Sequence, residues 1–329
     1  MTHPHDTTLE GTRPSPWYRP INAVLAAEVR DFLSRNQREL PAWLLLDQGA
    51  MAVRRQVQAL DTAHYSQVEL PLVREARPAL ERARTLVDIA PTDGSLALAD
   101  ALARSGTLEA VGTIDRVSHT GAEYVRQLAE RHPQLPTFSL TADVTVSVSL
   151  PRHIARPTVF VSLGGGINRL PTIPAVRFLR QMRACMRPDD MLMLGLDLRR
   201  GAALEAHELG QLALRETWHR HVLTVLNREL QTNFEPERFQ YRPQYDAANR
   251  RLTLLLEATA RCRVTGPTLD TITFKVGERI RTGVVCEYDR ASLGPIMRGV
   301  GLTLDQWLES PSGTHALVIA SPTQTDAGA

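Results

Sequence analysis

Four short stretches carry residue types and spacings with chemical potential. Asp88-Ile-Ala-Pro-Thr-Asp-Gly94 lies between an apolar run and a helical pattern. A nucleoside-binding fold places glycines in such a strand-to-helix turn, so that backbone approaches the ligand closely. Here Gly94 is the single glycine, with Ala90 and Thr92 at the earlier positions. Asp115 closes the next apolar run, Ala110-Val-Gly-Thr-Ile114, where a carboxylate accepts ribose hydroxyls in folds of this kind. Asp143 follows at the next strand end. It is placed to reach an adenine amino group, or to serve as a cap or turn residue. The fourth stretch is Gly164-Gly165-Gly166 followed by Asn168, whose amide is positioned to orient an amine. No nucleophile motif, zinc motif or phosphate loop accompanies these residues, and the triple glycine lacks the Lys-Ser/Thr ending of a P-loop. The ten histidines are dispersed. Such a set suits chemistry done by a bound cofactor, with the protein supplying position and desolvation.

The elements that must position these residues follow from periodicity. Thr158-Val-Phe-Val-Ser-Leu163 is rich in β-branched residues, as in a strand buried on both faces. A helix with Ala175, Phe178, Leu179, Met182 and Met186 on one face comes next, stopped by Pro188-Asp189-Asp190. Met191-Leu-Met-Leu-Gly-Leu196 is a second buried strand with Asp197 at its end. This is a βαβ unit, and ligands bind outside the carboxyl ends of its strands, near Gly164 to Asn168 and Asp197. Leu86 to Ala90 is a further strand, Leu96 to Ala103 begins a helix, and Glu123 to Arg131 is helical. The alternation predicts a doubly wound α/β sheet.

Upstream, a helical pattern covers Ile21 to Ser34, and Pro41 to Leu60 is helical with a break near Gly49. Asp61 to Glu69, with His64 and Tyr65, reads as a polar connection between helices. Residues 1–16 read as a disordered tail, and His3 and His5 do not make a metal site. Downstream, Ala202 to Leu230 reads as one or two helices. Antiparallel strands follow at Leu252 to Ala258, Ala260 to Val264, Thr271 to Val276 and Ile280 to Val285, with a turn at Gly277-Glu278. A last helix (Ser292 to Val300) and two strands (Leu302 to Glu309, His315 to Ala320) return to the main sheet.

Composition sets the outer bounds. The 329 residues suffice for one large α/β domain with an insertion, or for two domains. A formal net charge of +2 argues against nucleic acid as a partner. Lys275 is the single lysine among 38 basic residues, which reads as genome composition. Three scattered cysteines, Cys185, Cys262 and Cys286, have neither metal-ligand spacing nor an even count for disulfides, and suit a reducing cytoplasm. No apolar run approaches the roughly 20 residues of a membrane span, and no signal-peptide core is present. The expectation is a cytoplasmic protein with a small-molecule substrate and no metal; the oligomeric state is left open.

Longer stretches carry a resemblance. Val225-Leu-Asn-Arg-Glu-Leu230 with Asn233-Phe-Glu-Pro-Glu-Arg-Phe239 resembles the segment LNRELGADFDPDAF of the histidine-specific methyltransferases. These ergothioneine-pathway enzymes trimethylate the histidine α-amine with S-adenosylmethionine. Gly277-Glu-Arg-Ile-Arg-Thr282 resembles their GExIRTE, and Arg187 to Asp197 their RPGDxLLLGTD. The resemblance implies a class I methyltransferase core (71–198 plus 288–321) and a substrate domain (17–70 plus 199–287). It places the cofactor against Asp88, Ala90, Gly94, Asp115, Asp143, Val144, Gly164 and Gly165. It places the substrate against Tyr65, Asn168, His207, Gly283 and Val285.

The chain also departs from the family's pattern. Ala90 and Thr92 replace two of three loop glycines. Gly283 and Val285 replace the glutamate and serine of IRTEIS that grip the imidazole, and YYPTR becomes His64-Tyr65-Ser66-Gln67-Val68. A pocket without that grip leaves the imidazole's polar atoms unpaired. The expected function is therefore methyl transfer to an amine or amino acid other than histidine, in secondary metabolism. One alternative is closure of the cofactor's own aminobutyrate chain to azetidine-2-carboxylate, releasing methylthioadenosine. A second is a non-catalytic module that has lost cofactor binding.

Overall fold

The computed structural model describes residues 21–116 and 118–324, with the side chains at 21, 22, 55, 58–66, 93, 118 and 119 outside that description. The expected tail at 1–16 also lies outside the described residues. In chain order the helices and strands are α1 (Ile21–Ser34), α2 (Met51–Leu80), β1 (Thr85–Ile89), α3 (Asp93–Arg104), β2 (Ala110–Asp115), α4 (Ser118–Arg131), β3 (Thr137–Thr141) and β4 (Thr158–Ser162). They continue with α5 (Thr172–Cys185), β5 (Met191–Asp197), α6 (Gly201–Leu209), α7 (Leu212–Leu230), β6 (Phe239–Tyr241), β7 (Gln244–Asp246) and β8 (Arg251–Ala258). The chain ends with β9 (Cys262–Gly266), β10 (Leu269–Phe274), β11 (Arg279–Cys286), α8 (Arg290–Gly299), β12 (Leu302–Glu309) and β13 (His315–Pro322).

Seven strands form the main sheet in the order β12-β13-β5-β4-β1-β2-β3. The pairs from β5 through β3 are parallel, and β13 runs antiparallel to both of its neighbours. Every residue of β1, β4 and β5 is buried, as their unbroken apolar runs predict for strands covered on both faces. One face packs under α2, α3 and α4 through Leu72, Leu98, Leu102 and Leu128. The other packs under α5 and α8 through Phe178, Leu179, Met182, Leu293 and Met297. The chain leaves β1 toward β3, then returns to the other side of β1 as β4. This places the topological switch, and with it the ligand crevice, at the carboxyl ends of β1 and β4. The doubly wound expectation holds, and the antiparallel β13 identifies the class I methyltransferase arrangement.

The second layer is built from the insertion. Strands β11, β8 and β6 pair antiparallel, β7 adds to β8, and β9 and β10 form a separate hairpin. Their apolar residues share one core with α1 and α7, around Val29, Leu223, Leu226, Phe239, Leu256 and Phe274. Gly277 takes a positive φ of 82° at the expected turn.

The N-terminal third departs from expectation. Ala42–Leu46 and Gln48–Ala50 are short 3-10 turns, and Asp61 to Glu69 is no connection: α2 runs through it as one 30-residue helix. The polar residues there contain no helix breaker before Pro71, and tertiary contact with α3, α7 and β13 holds the helix together. Helix α2 thus crosses the expected boundary at residue 70. Among the described residues no helix is long and apolar enough to cross a membrane.

Candidate active site

A cavity of about 400 Å3 opens at the switch point, between the carboxyl ends of β1 and β4 and the insertion. Ala90, Thr92 and Gly94 form one wall, with Leu163, Gly164 and Gly166 beside them. Ala90 adopts φ 55°, the left-handed conformation that glycine takes without penalty, so the loop keeps the path its missing glycine would give. Thr92 caps α3: its hydroxyl accepts from the Ser95 N–H at 3.2 Å, and the Thr92 N–H donates to Ser95 Oγ at 2.8 Å. The two departures from the family's glycine loop therefore leave its backbone shape intact.

Asp115, at the end of β2, is buried next to Ile114, whose carbonyl accepts from the Ala90 N–H, and does not itself line the cavity. Arg54 of α2 lines the cavity, and the Asp115 carboxylate acts on its guanidinium, opposing the burial that pulls Arg54 below its ordinary value. Asp143 is used locally. Its Oδ1 accepts from the Thr145 N–H (2.9 Å) and hydroxyl (2.6 Å), and its Oδ2 pairs with Arg116 at 2.7 Å. The Arg116 guanidinium also sits over the Trp43 ring, 5.6 Å from its centroid. Val144 packs against the α5–α8 face of the core and does not line the cavity. Asp88 lies beneath the loop, fully buried. Burial pushes its carboxyl up to about 7, against the nearby Ser95 and Tyr124 hydroxyls, and its oxygens make no hydrogen bond of good geometry. It supports the loop from below and does not face a ligand.

Glu69 is the residue sequence reasoning missed here. It projects from α2 to the carboxyl end of β4, where both its oxygens accept from the Gly164 N–H, at 3.0 and 3.2 Å. It is buried and lines the cavity, and burial pushes its carboxyl up to about 7. Gly195, in the middle of the buried strand β5, leaves room for it: a Cβ there would lie 1.8 Å from Glu69 Oε1. A glycine inside a buried strand signals close approach by another group, and that was the one trace in the sequence.

Arg116 and Arg169 also line the cavity, and the opposite wall is otherwise apolar. It comprises Trp43, Leu45 and Leu46 of the first 3-10 turn, Trp218 of α7, Leu254 of β8, and Gly283 and Val284 of β11. The pairing of β11 with β8 shifts between Arg281 and Gly283. Of the two expected substrate residues on β11, Gly283 lines the cavity and Val285 does not. Val285 turns into the insertion core, so Val284 forms the wall. Behind the wall His219 Nδ1 bonds the Thr282 hydroxyl at 2.6 Å and stacks on Tyr241, whose hydroxyl donates to Glu208 at 2.6 Å. Glu208 pairs with Arg215 at 3.2 Å. Burial, with the charges of Arg215 and Arg169, pulls His219 well below its ordinary value and keeps it neutral. His207, the expected substrate residue, stays off the cavity; its neighbour Glu208 turns inward. Tyr65 sits on α2 with its side chain outside the described residues.

Asn168 is not free to orient an amine. Its Nδ2 donates to the carbonyls of Asp197 (3.0 Å) and Cys286 (2.9 Å), and its Oδ1 accepts from the Asp197 N–H (3.0 Å). These bonds clamp the turn Gly166–Arg169 to the ends of β5 and β11. Asn168 is a positioning residue, and the catalytic role expected of it is corrected. Asp197 likewise stays off the cavity: although burial raises its carboxyl, Arg199, at 2.9 and 3.0 Å from its Nε, holds it below the ordinary range. Gly165 shapes the turn with φ 68° and does not line the cavity.

The sheet order, the loop after β1 and the acid at the end of β2 define a class I S-adenosylmethionine-dependent methyltransferase. The model of the histidine-specific, S-adenosylmethionine-dependent methyltransferases matches residues 25–322, and the chain belongs to that family. It is 26% identical over 307 residues to a histidine N-alpha-methyltransferase of Mycobacterium tuberculosis, covering 91% of this chain and 95% of that protein. A histidine N-alpha-methyltransferase of Mycolicibacterium smegmatis is 27% identical over 203 residues, covering 61% of this chain and 60% of that one. Among solved structures, an S-adenosylmethionine-dependent methyltransferase from Clostridium acetobutylicum aligns with a TM-score of 0.45 at 7% identity, over 77% of this chain and 90% of that chain.

Proposed function

We propose that the protein methylates the amine of a small molecule with an apolar or aromatic body, and that histidine is not its acceptor. The observation that supports this reading is the wall facing the cofactor loop. Where the family has its imidazole-gripping glutamate this chain has Gly283, flanked on the cavity by Leu254, Val284, Trp43 and Trp218. The apolar stretch of this wall offers an imidazole no acceptor where that glutamate stands, and leaving polar atoms unpaired in a closed site costs about 1–3 kcal/mol each. It offers an apolar side chain about 1.5–3 kcal/mol of burial instead.

Bound S-adenosylmethionine supplies an electrophilic methyl group on a sulfonium. The residues of this chain do the positioning. Asp115 receives the ribose hydroxyls, and the Ala90–Gly94 loop lies along the nucleoside. The apolar wall disfavours an ammonium relative to the neutral amine, which is the form that attacks. Asn168 holds β11 to β5, which fixes the distance between that wall and Gly164. Orientation and water exclusion then supply most of the rate.

The test is a panel of aromatic, aliphatic and imidazole amines incubated with the protein and S-adenosylmethionine, with both nucleoside and amine products resolved by mass spectrometry. The expected result is S-adenosylhomocysteine with a methylated apolar amine, and no product from millimolar histidine. Turnover of histidine overturns the acceptor assignment. Protein-dependent formation of methylthioadenosine together with azetidine-2-carboxylate from S-adenosylmethionine alone overturns methyl transfer in favour of cyclisation.

A further inference from the structure

Two features, one lining the cavity and one just behind it in β5, each cost stability. Glu69 is a carboxyl group buried to 3% exposure that accepts from a single backbone N–H, that of Gly164. Among the described residues no cation forms an ion pair with it. An unpaired buried carboxylate is among the most expensive groups a core can hold. Gly195 forgoes a side chain in the middle of a fully buried strand, which weakens the strand, and its missing Cβ is the space that Glu69 Oε1 occupies. Gly94, on the cofactor loop, faces the other oxygen at ordinary contact distance: a Cβ there would lie 3.6 Å from Glu69 Oε2. The chain thus holds, at the edge of the cavity and between the glycine turns that follow β1 and β4, a carboxyl group with no ion-pair partner among the described residues.

We propose that Glu69 is the subsite for the primary ammonium of the cofactor's aminobutyrate chain. This rests on S-adenosylmethionine being the cofactor. That chain is the cationic part of the ligand able to donate N–H bonds, and a carboxylate held by one N–H has lone pairs left to accept them. The sulfonium is a poorer match. It has no N–H, and a carboxylate beside it stabilises positive charge that the transition state disperses, which slows transfer. Nor is this a metal site, since no group of three or more acidic, histidine or cysteine side chains gathers among the described residues. With Asp115 under the ribose, Glu69 fixes the other end of the cofactor, and the methyl group lies between two anchored ends, toward the apolar wall.

The amine of the acceptor has the same chemistry, so the experiment separates the two sources. Calorimetry at pH 8 compares the wild-type protein with Glu69→Gln, an isosteric change, for three nucleosides. These are S-adenosylhomocysteine, its decarboxylated form (ammonium kept, carboxylate lost) and methylthioadenosine (neither). The expected result is a loss of at least ~10-fold in affinity for the first two and less than ~2-fold for the third, with thermal melts showing a folded variant. Equal losses for all three assign Glu69 a structural role and overturn the proposal. Unchanged nucleoside affinity with a raised KM for the acceptor assigns the carboxylate to the acceptor amine and also overturns it. Failure of the wild-type protein to bind any of the three overturns the cofactor assignment itself, a result distinct from the other two.

Discussion

Single residues show how this site departs from its family while keeping the cofactor loop. Ala90 takes a backbone conformation made for glycine, with φ 55°. That conformation costs an alanine about 1–2 kcal/mol, and glycine's greater unfolded-state entropy returns roughly half of it. Ala90→Gly should therefore raise stability by about 0.5–1 kcal/mol in urea unfolding, and Ala90→Val should lower it. Asp115→Ala should weaken S-adenosylhomocysteine binding by about 2–4 kcal/mol, the scale of two hydrogen bonds to a charged group; calorimetry with an unchanged Kd excludes Asp115 from the ribose. Glu69 gives stability a pH dependence of definite sign. Its carboxyl titrates at 4.5 in the ordinary case and at about 7 in the folded protein. Below 4.5 both states are protonated. Between the two values the unfolded chain has lost the proton and the native state keeps it, so stability falls as pH rises. The loss is complete above 7 and amounts to about 3 kcal/mol. Buried Asp88 acts in the same sense. Glu69→Gln should melt above the wild-type protein at pH 8, with the gap closing toward pH 4.5.

At the level of elements, α2 and β11 govern the site. Helix α2 brings Arg54 and Glu69 from one continuous helix to opposite ends of the cofactor crevice, near β2 and β4. Strand β11 presents Gly283 and Val284 because its pairing shifts by a bulge just before them. Asn168 couples β11 to the main sheet by three buried hydrogen bonds. Asn168→Ala should cost about 2–4 kcal/mol in unfolding, by leaving two carbonyls and one N–H unpaired. It should also slow turnover more than it weakens nucleoside binding, because the wall shifts while Asp115 stays in place. Full stability in this variant would show that the clamp is redundant.

The whole molecule is two cores meeting at one cavity. One core is the seven-stranded sheet with its helices, and the other joins α1, α7 and the insertion sheet. The cofactor face belongs to the first and the acceptor face mainly to the second, so the two specificities can change separately. Trp218, tied to the first 3-10 turn by its indole N–H to Leu45 O at 2.8 Å, is the acceptor-side residue that tests this. Trp218→Ala should raise the acceptor KM by at least ~10-fold, the loss of roughly one aromatic contact, and leave S-adenosylhomocysteine affinity within about twofold. Equal effects on both ligands would show the faces to be coupled.

The buried strands of the sheet and the helices between them were legible in the sequence alone. Buried strands such as Val159 to Val161 and Met191 to Leu196 are written as unbroken apolar runs, and the α5 face (Ala175, Phe178, Leu179, Met182) as a helical period. These are local signals, because each element's burial is a property of its own side chains. Asp115 and the glycine-depleted loop were legible for the same reason, as strand ends of known chemistry. Three things depended on tertiary structure. Whether Asp61 to Glu69 is helix or connection rests on what it packs against. Whether Asn168 or Val285 faces a ligand depends on partners more than a hundred residues away and on a bulge in β11. That Glu69 and Gly195 share one space follows from the packing of α2 on β5, two elements with no periodicity in common. Each is a question of which distant groups meet, and no local pattern encodes that.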